Sequence, residues 1–239
     1  MMEDSFINFP DNLFQAKIIS RPNRFVLICE NESSSEIKLH LPDPGRLPLI
    51  IKKGRKIYYQ PTDKPERKTA GSVILVKLEN GVFVSMNSHL ANDLAEVGLK
   101  NEFFSEFTDY DIVRREYTWG NSRFDFLLNH QDGEDYLLEV KSVNLVEAGQ
   151  ACFPDAPTKR GVRHIKELIK WKQDTGNSAG ILFIVQQEQA EFFRPCEKID
   201  PDFAEALNLA RAKGIDISVY DTKVDLNKIM LNQRIEQNW

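Results

Sequence analysis

The sequence predicts a chain of mixed class, a small N-terminal β-barrel over residues 1–86 followed by an α/β domain over residues 87–239. Three observations carry this expectation. Five or six short β-prone runs fall within about 75 residues before position 86 and show no helical periodicity, as a small barrel requires. At residues 86–92 the pattern changes to helical spacing. Residues 179–185 then read Ala-Gly-Ile-Leu-Phe-Ile-Val, the continuous apolar run of a strand covered on both faces.

In order, the residues before Leu13 are polar and expected to fray. Apolar runs at 13–20 and 25–30 are separated by Arg21-Pro22-Asn23-Arg24, where Pro22 lacks the N–H a ladder needs and forces a turn or an edge. A run at 37–41 leads into a loop from His40 to Pro48, stiffened by prolines and carrying Gly45. Further runs at 56–60, 73–78 and 82–85 complete the barrel, the last two joined by a Glu79-Asn80-Gly81 turn. Between Lys52 and Lys68 seven bases, among them Lys52, Lys53, Arg55 and Lys56, face only Asp63 and Glu66. A barrel of the OB type binds oligonucleotides by pairing such a basic groove with stacking aromatics, a role that Tyr58, Tyr59 and Phe25 suit. The competing reading is a solvated charged loop, and one of two adjacent tyrosines must point inward.

In the second domain Asn87 and Ser88 offer helix caps, and Leu90, Leu94, Val97, Phe104 and Phe107 predict a helix reaching about Phe107, with a break at Gly98. A strand over 112–118 and a Gly120-Asn121 turn follow. After the central hairpin, the stiff stretch Phe153-Pro154-Asp155-Ala156-Pro157 leads to a helix over 158–174, capped by Thr158 or Asp155 and stopped by Gly176. Its buried stripe is Val162, Ile165 and Ile169; Arg160, His164 and Glu167 share a neighbouring face, either solvated or turned toward a site. A last helix begins at Pro201 with Asp200 as its cap and ends at Gly214. A strand over 215–220 and a mobile tail close the chain.

Residues 122–142, SRFDFLLNHQDGEDYLLEVKS, are two apolar runs flanking a polar turn and predict a β-hairpin. Side chains two apart share a face of a strand, so Glu139 and Lys141 project together. Asp125 joins them only in one register, because a slip of one residue reverses every side chain. A two-residue Asp132-Gly133 turn opposes Asp125 to Val140. A three-residue loop of Gln131, Asp132 and Gly133, with Gly133 left-handed, pairs His130 with Glu134 and sets Asp125 opposite Glu139; this longer loop is the expectation. Two carboxylates and an amine so placed suit metal-dependent phosphodiester chemistry: Asp125 and Glu139 hold Mg²⁺, with Mn²⁺ as a substitute, and Lys141 orients water or screens developing charge. Glu116, on the preceding strand, is either a third acid at the metal or an exposed partner of Arg114 or Arg123.

The chain carries 31 basic and 36 acidic residues, a net charge of −5 that excludes a strongly basic nucleic-acid binder, but 13 bases against 10 acids lie within the first 90 residues. No run of eighteen apolar residues and no basic-then-apolar leader occurs, so neither a membrane span nor a signal peptide is expected, and the protein is read as cytoplasmic. Cys29, Cys152 and Cys196 are odd in number and lack metal or redox spacing; reduced, mostly buried thiols are expected.

The blocks RPNRF (from Arg21), HLPDPGR (from His40), SRFDFLL (from Ser122), EVKSVNL (from Glu139) and FPDAPTKRGVRHIKEL (from Phe153) together resemble the sugar fermentation stimulation protein family, SfsA, in order and over nearly the whole length. The resemblance implies an N-terminal OB-fold, a C-terminal domain similar to the PD-(D/E)xK nucleases, and a DNA-binding role linked to regulation of sugar (maltose) metabolism. The nuclease-like motif falls on Asp125, Glu139 and Lys141. Where the family pattern reads HLPNPGR and EVKSVTL, this chain has Asp43 and Asn144. Expected nucleic-acid contacts are Arg21, Arg24, Arg46, Lys52, Lys53, Arg55, Lys56, Tyr58, Arg160 and His164. DNA is the expected partner, bound largely without regard to sequence, since no recognition helix for the major groove is evident. A Mg²⁺-dependent nuclease cleaving DNA or RNA is the alternative.

Overall fold

The computed structural model describes residues 5–64 and 66–239. A short first strand, β1 (Phe6–Asn8), precedes the barrel strands β2 (Phe14–Asn23), β3 (Val26–Asn31), β4 (Glu36–His40), β5 (Lys56–Pro61), β6 (Gly71–Lys77) and β7 (Phe83–Ser85). They pair in the order β4-β3-β2-β5-β6-β7, and a parallel contact of β4 with β6 closes five of them into a barrel. Closure leaves those strands no free edge, and alternate residues such as Leu27, Cys29, Leu39 and Ile57 fill the interior. Pro22 lies inside β2, where the β2–β3 register shifts between Ser20 and Asn23, so the missing N–H falls at an irregularity.

Helix α1 (Leu90–Lys100) follows, then a 3₁₀ turn (Ser105–Phe107). The predicted helix to Phe107 therefore stops seven residues early: Glu102 adopts φ +52°, and Phe104 and Phe107 insert into the core from the turn. The strands β8 (Tyr110–Trp119), β9 (Ser122–His130) and β10 (Asp135–Val143) come next, followed by the short β11 (Leu145–Glu147) and β12 (Gln150–Phe153). Helix α2 (Lys159–Thr175) is capped by Thr158, whose hydroxyl accepts the Gly161 N–H, and ends at left-handed Gly176. Strands β13 (Ser178–Val185) and β14 (Phe192–Pro195) lead to α3 (Pro201–Ala212), capped by Asp200. The chain ends with β15 (Asp216–Val224), β16 (Lys228–Arg234) and β17 (Glu236–Gln237).

The main sheet has seven strands in the order β1-β16-β15-β13-β10-β9-β8, with β10, β13 and β15 parallel at its centre. Helix α1 covers one face through Ala91, Leu94, Ala95 and Leu99; α2 and α3 cover the other through Ile165, Leu168, Phe203 and Leu207. Burial on both faces is why β13 reads as an unbroken apolar run.

Three sequence expectations are corrected. Phe6–Asn8 does not fray with the barrel's leading residues but pairs with β16 in the second sheet, and Phe9 behind it is buried. The C-terminal tail is ordered: β16 forms a hairpin with β15, and β17 adds to a small sheet of β11, β12 and β14. Cys152 and Cys196 are joined in a disulfide, because β12 and β14 run in parallel and bring their Cα atoms to 5.3 Å; Cys29 alone remains a free, buried thiol.

Candidate metal and nucleic-acid site

The hairpin of β9 and β10 has the three-residue loop. His130 N–H donates to Glu134 O at 2.8 Å, Gly133 sits at φ +91°, and the ladder pairs Asn129 with Asp135 and Phe126 with Leu138. One step further this register sets Asp125 opposite Glu139, but the backbone ladder has ended and the Asp125 side chain takes its place: Oδ2 accepts the Val140 N–H at 2.7 Å. Oδ1 accepts Nδ2 of Asn92, on α1, at 2.6 Å. Burial, and then the neighbouring Glu139 charge, push the Asp125 carboxyl up to about 6, against the hydrogen bonds and the Lys141 ammonium that favour ionisation.

Glu139 is 3% exposed. Its Oε1 is shared by Lys141 Nζ and His164 Nδ1, the latter at 2.5 Å. Burial opposes the Glu139 charge, but Lys141 and His164 outweigh it and hold the carboxyl below its usual range. Arg160 Nε donates to His164 Nε2 at 3.2 Å. Since a guanidinium can only donate, Nε2 accepts from Arg160, and Nδ1 faces Glu139 as the donor.

The structure thus brings Asp125, Glu139, Lys141, His164 and Arg160 together. Glu139 Oε2 is buried with no hydrogen-bond partner among the described residues. A buried carboxylate oxygen left bare is costly, and beside a second carboxylate it fits a hard divalent cation, which Asp125 and Glu139 would hold.

Glu116 does not join them. It adopts φ +52° and forms an ion pair with Arg123 at 3.4 Å, both side chains more than half exposed. Among the described residues no group of three or more His, Cys, Asp and Glu side chains converges as a metal cage.

The expected nucleic-acid contacts divide. Arg24, Arg46, Lys52, Lys53, Lys56 and Arg160 are exposed, and Lys52, Lys53 and Lys56 border a basic concavity with Lys77. Four others have internal work. Arg21 donates to the carbonyls of Arg24, Gly45 and Arg46 at 2.6–2.9 Å, and Arg55 to those of Leu49 and Ile50. Tyr58 lies edge-on to Phe83 with ring centroids 5.7 Å apart, while Tyr59 points into the barrel core. His164 is 1% exposed and orients Glu139 instead of meeting a phosphate. Charge and ring type do not reveal in a sequence whether a guanidinium faces solvent or carbonyls.

Sequence reasoning missed Asn92, an amide on the first helix with no spacing to mark it. It also missed the seam between the domains. Asn144 Nδ2, just after β10, donates to Asp43 Oδ2, in the loop after β4, at 2.6 Å. Burial raises the Asp43 carboxyl, assisted by nearby Asp155 and opposed by hydrogen bonds from Gly45 and Asn144 and by the Arg21 charge. Asp155 Oδ2 accepts the Leu47 N–H at 3.2 Å.

An OB barrel joined to a mixed α/β domain is the class that this fold defines. The family model described as the SfsA N-terminal OB domain matches residues 19–86, and that of the sugar fermentation stimulation protein RE domain matches residues 89–228. The chain belongs to the SfsA family. It is 44% identical over 214 residues to the sugar fermentation stimulation protein homolog of Acetivibrio thermocellus, covering 89% of this chain and 90% of that one. The homolog of Clostridium tetani is 39% identical over 225 residues, covering 94% and 96%. Among solved structures, Pyrococcus furiosus SfsA in complex with Ca²⁺ superposes with a TM-score of 0.86 at 29% identity, over 100% of this chain and 99% of that one.

Proposed function

We propose that this chain is a divalent-metal-dependent nuclease that binds DNA, or RNA, largely without regard to sequence and cleaves its phosphodiester bonds at Asp125, Glu139 and Lys141. The observation that carries the reading is the unpartnered, buried Glu139 Oε2 beside Asp125. The Ca²⁺ complex of the Pyrococcus furiosus relative supports a divalent ion here. When bound, such an ion supplies Lewis-acid polarisation of a phosphate oxygen and lowers the pKa of a water. The chain's own residues do the rest. Asp125 and Glu139 would hold the ion, His164 fixes the Glu139 rotamer, Lys141 would offset the negative charge that develops, and exposed Arg160 would clamp a phosphate. The exposed bases of the barrel hold the backbone, so affinity falls linearly in log-log terms with salt.

A second reading rests on a specific observation: both Asp125 oxygens already accept hydrogen bonds, and Glu116 adds no third acid. A protein of that kind binds DNA without turnover. Labelled single strands and duplexes incubated with Mg²⁺ or Mn²⁺ separate the two. Cleavage by the wild type, lost by at least a hundredfold in Glu139→Ala and Lys141→Ala while binding persists, supports the nuclease; binding with no cleavage by any of them leaves the binder. A regulatory role in sugar metabolism is carried over from the family resemblance and the name of the relatives, and it would act through either activity.

A further inference from the structure

The turn between β2 and β3 consists of Arg24 and Phe25, and Phe25 is 53% exposed with no aromatic neighbour among the described residues. A lone exposed apolar side chain is ordinary on a surface. What sets this one apart is how rigidly it is held and where. The Phe25 N–H donates to Asn23 Oδ1 at 2.9 Å, and its carbonyl accepts the Leu41 N–H at 2.8 Å. The half-buried guanidinium of Arg21 ties the turn to the next loop, binding the carbonyls of Arg24, Gly45 and Arg46. That loop abuts the second domain, since a Cβ on Gly45 would lie 2.2 Å from Asp155 Oδ2. Arg24 is one of the residues lining a cleft of about 350 Å³ that Asn92, Lys141, Ser142 and Asn144 also line.

A cation lining the same cleft as Lys141, with an exposed ring on a backbone-tethered turn at the next residue, matches what an unpaired nucleotide requires: a charge for the phosphate and a flat apolar surface for the base. A paired base in a duplex keeps its faces stacked on its neighbours and cannot use the ring. We infer that Arg24 and Phe25 form a single-strand binding element beside the cleft that Lys141 lines, Phe25 stacking an unpaired base and Arg24 holding the adjoining phosphate. The inference rests on the proposed nucleic-acid function and narrows its substrate to unpaired strands or unpaired ends.

The test is equilibrium anisotropy with the full chain in Ca²⁺, using oligothymidylate, its abasic counterpart of equal length and charge, and a blunt duplex. Phe25→Ala should lose about tenfold affinity for oligothymidylate and none for the abasic strand or the duplex. Phe25→Trp should keep the wild-type affinity, with the added indole emission quenched on binding. Arg24→Ala should flatten the single-strand salt slope by about 0.7. Equal losses of Phe25→Ala on all three probes, or none on oligothymidylate, overturn the stacking role while leaving the nucleic-acid function intact. A wild type that binds no probe overturns both. Oligoribothymidylate as a fourth probe shows whether the 2′-hydroxyl is tolerated, and stacking on Phe25 requires the Phe25→Ala loss on it to match that on DNA wherever it binds.

Discussion

Asp125 contributes a strong pH dependence to the stability of the protein. Its carboxyl is raised to about 6, whereas in an unfolded chain it titrates near about 4. Between those values the folded chain holds a proton that the unfolded chain has released, so stability falls as pH rises through the window and levels off above it. The full difference is on the order of 3 kcal/mol. Urea unfolding in chelator should show this decline from pH 4 to pH 7, and Asp125→Asn should flatten it, leaving the part due to the raised carboxyls of Asp43 and Asp221. Slope is the readout, because an amide oxygen can accept only one of the Asn92 and Val140 hydrogen bonds and absolute stability shifts as well. A divalent ion must displace the proton, so its affinity should weaken as pH drops through the same window. A pH-independent unfolding midpoint in the wild type would show that Asp125 is solvated and ordinary. That Asp125 faces Glu139 was legible because a left-handed Gly133 fixes the loop length and strand parity does the rest. Glu116 was illegible: its φ of +52° turns it out of the alternation on which strand reading depends.

At the scale of elements, legibility followed the range of the interactions. The helices α2 and α3 announce themselves through caps within a few residues, Thr158 with Gly176 and Asp200 with Gly214. Strand β1 has three residues, and its partner β16 lies more than 200 positions away, so no local signal can report the pairing. The same holds for Cys152 and Cys196, 44 residues apart and joined only because β12 and β14 align. The β1 pairing makes a sharp prediction. Phe9 is 6% exposed and packs in the cluster with α1 residues such as Leu94, its N–H donating to Asn227 O at 2.6 Å. Phe9→Ala should cost about 3 kcal/mol in urea denaturation, the price of emptying a buried aromatic site. A frayed N-terminal arm would lose nothing measurable.

Across the whole molecule, the barrel and the α/β domain meet where the 43–47 loop lies on the 153–157 stretch, and that seam shapes the cleft lined by Asn92 and Lys141. Gly45 permits the approach. A Cβ there would sit 2.2 Å from Asp155 Oδ2 and 2.9 Å from Asp43 Oδ1, so Gly45→Ala must displace the loop or these carboxylates, and either weakens the Leu47 N–H to Asp155 and Asn144 to Asp43 hydrogen bonds. Overpacking of this kind costs about 1–3 kcal/mol. The carboxylates at Asp125 and Glu139 belong to β9 and β10 and do not depend on the loop, so Mn²⁺ affinity measured by calorimetry should stay within about twofold of the wild type, a shift of about 0.4 kcal/mol. Single-strand affinity should fall, because Arg24 is carried to the cleft by Arg21, whose guanidinium binds the displaced loop. Removing the opposing carboxylate relieves the clash, so the stability costs of Gly45→Ala and Asp155→Ala should be non-additive by about 1 kcal/mol in a double-mutant cycle. Strict additivity, with nucleic-acid binding untouched, would mean that the domains meet passively and that the barrel does not set the geometry of the cleft.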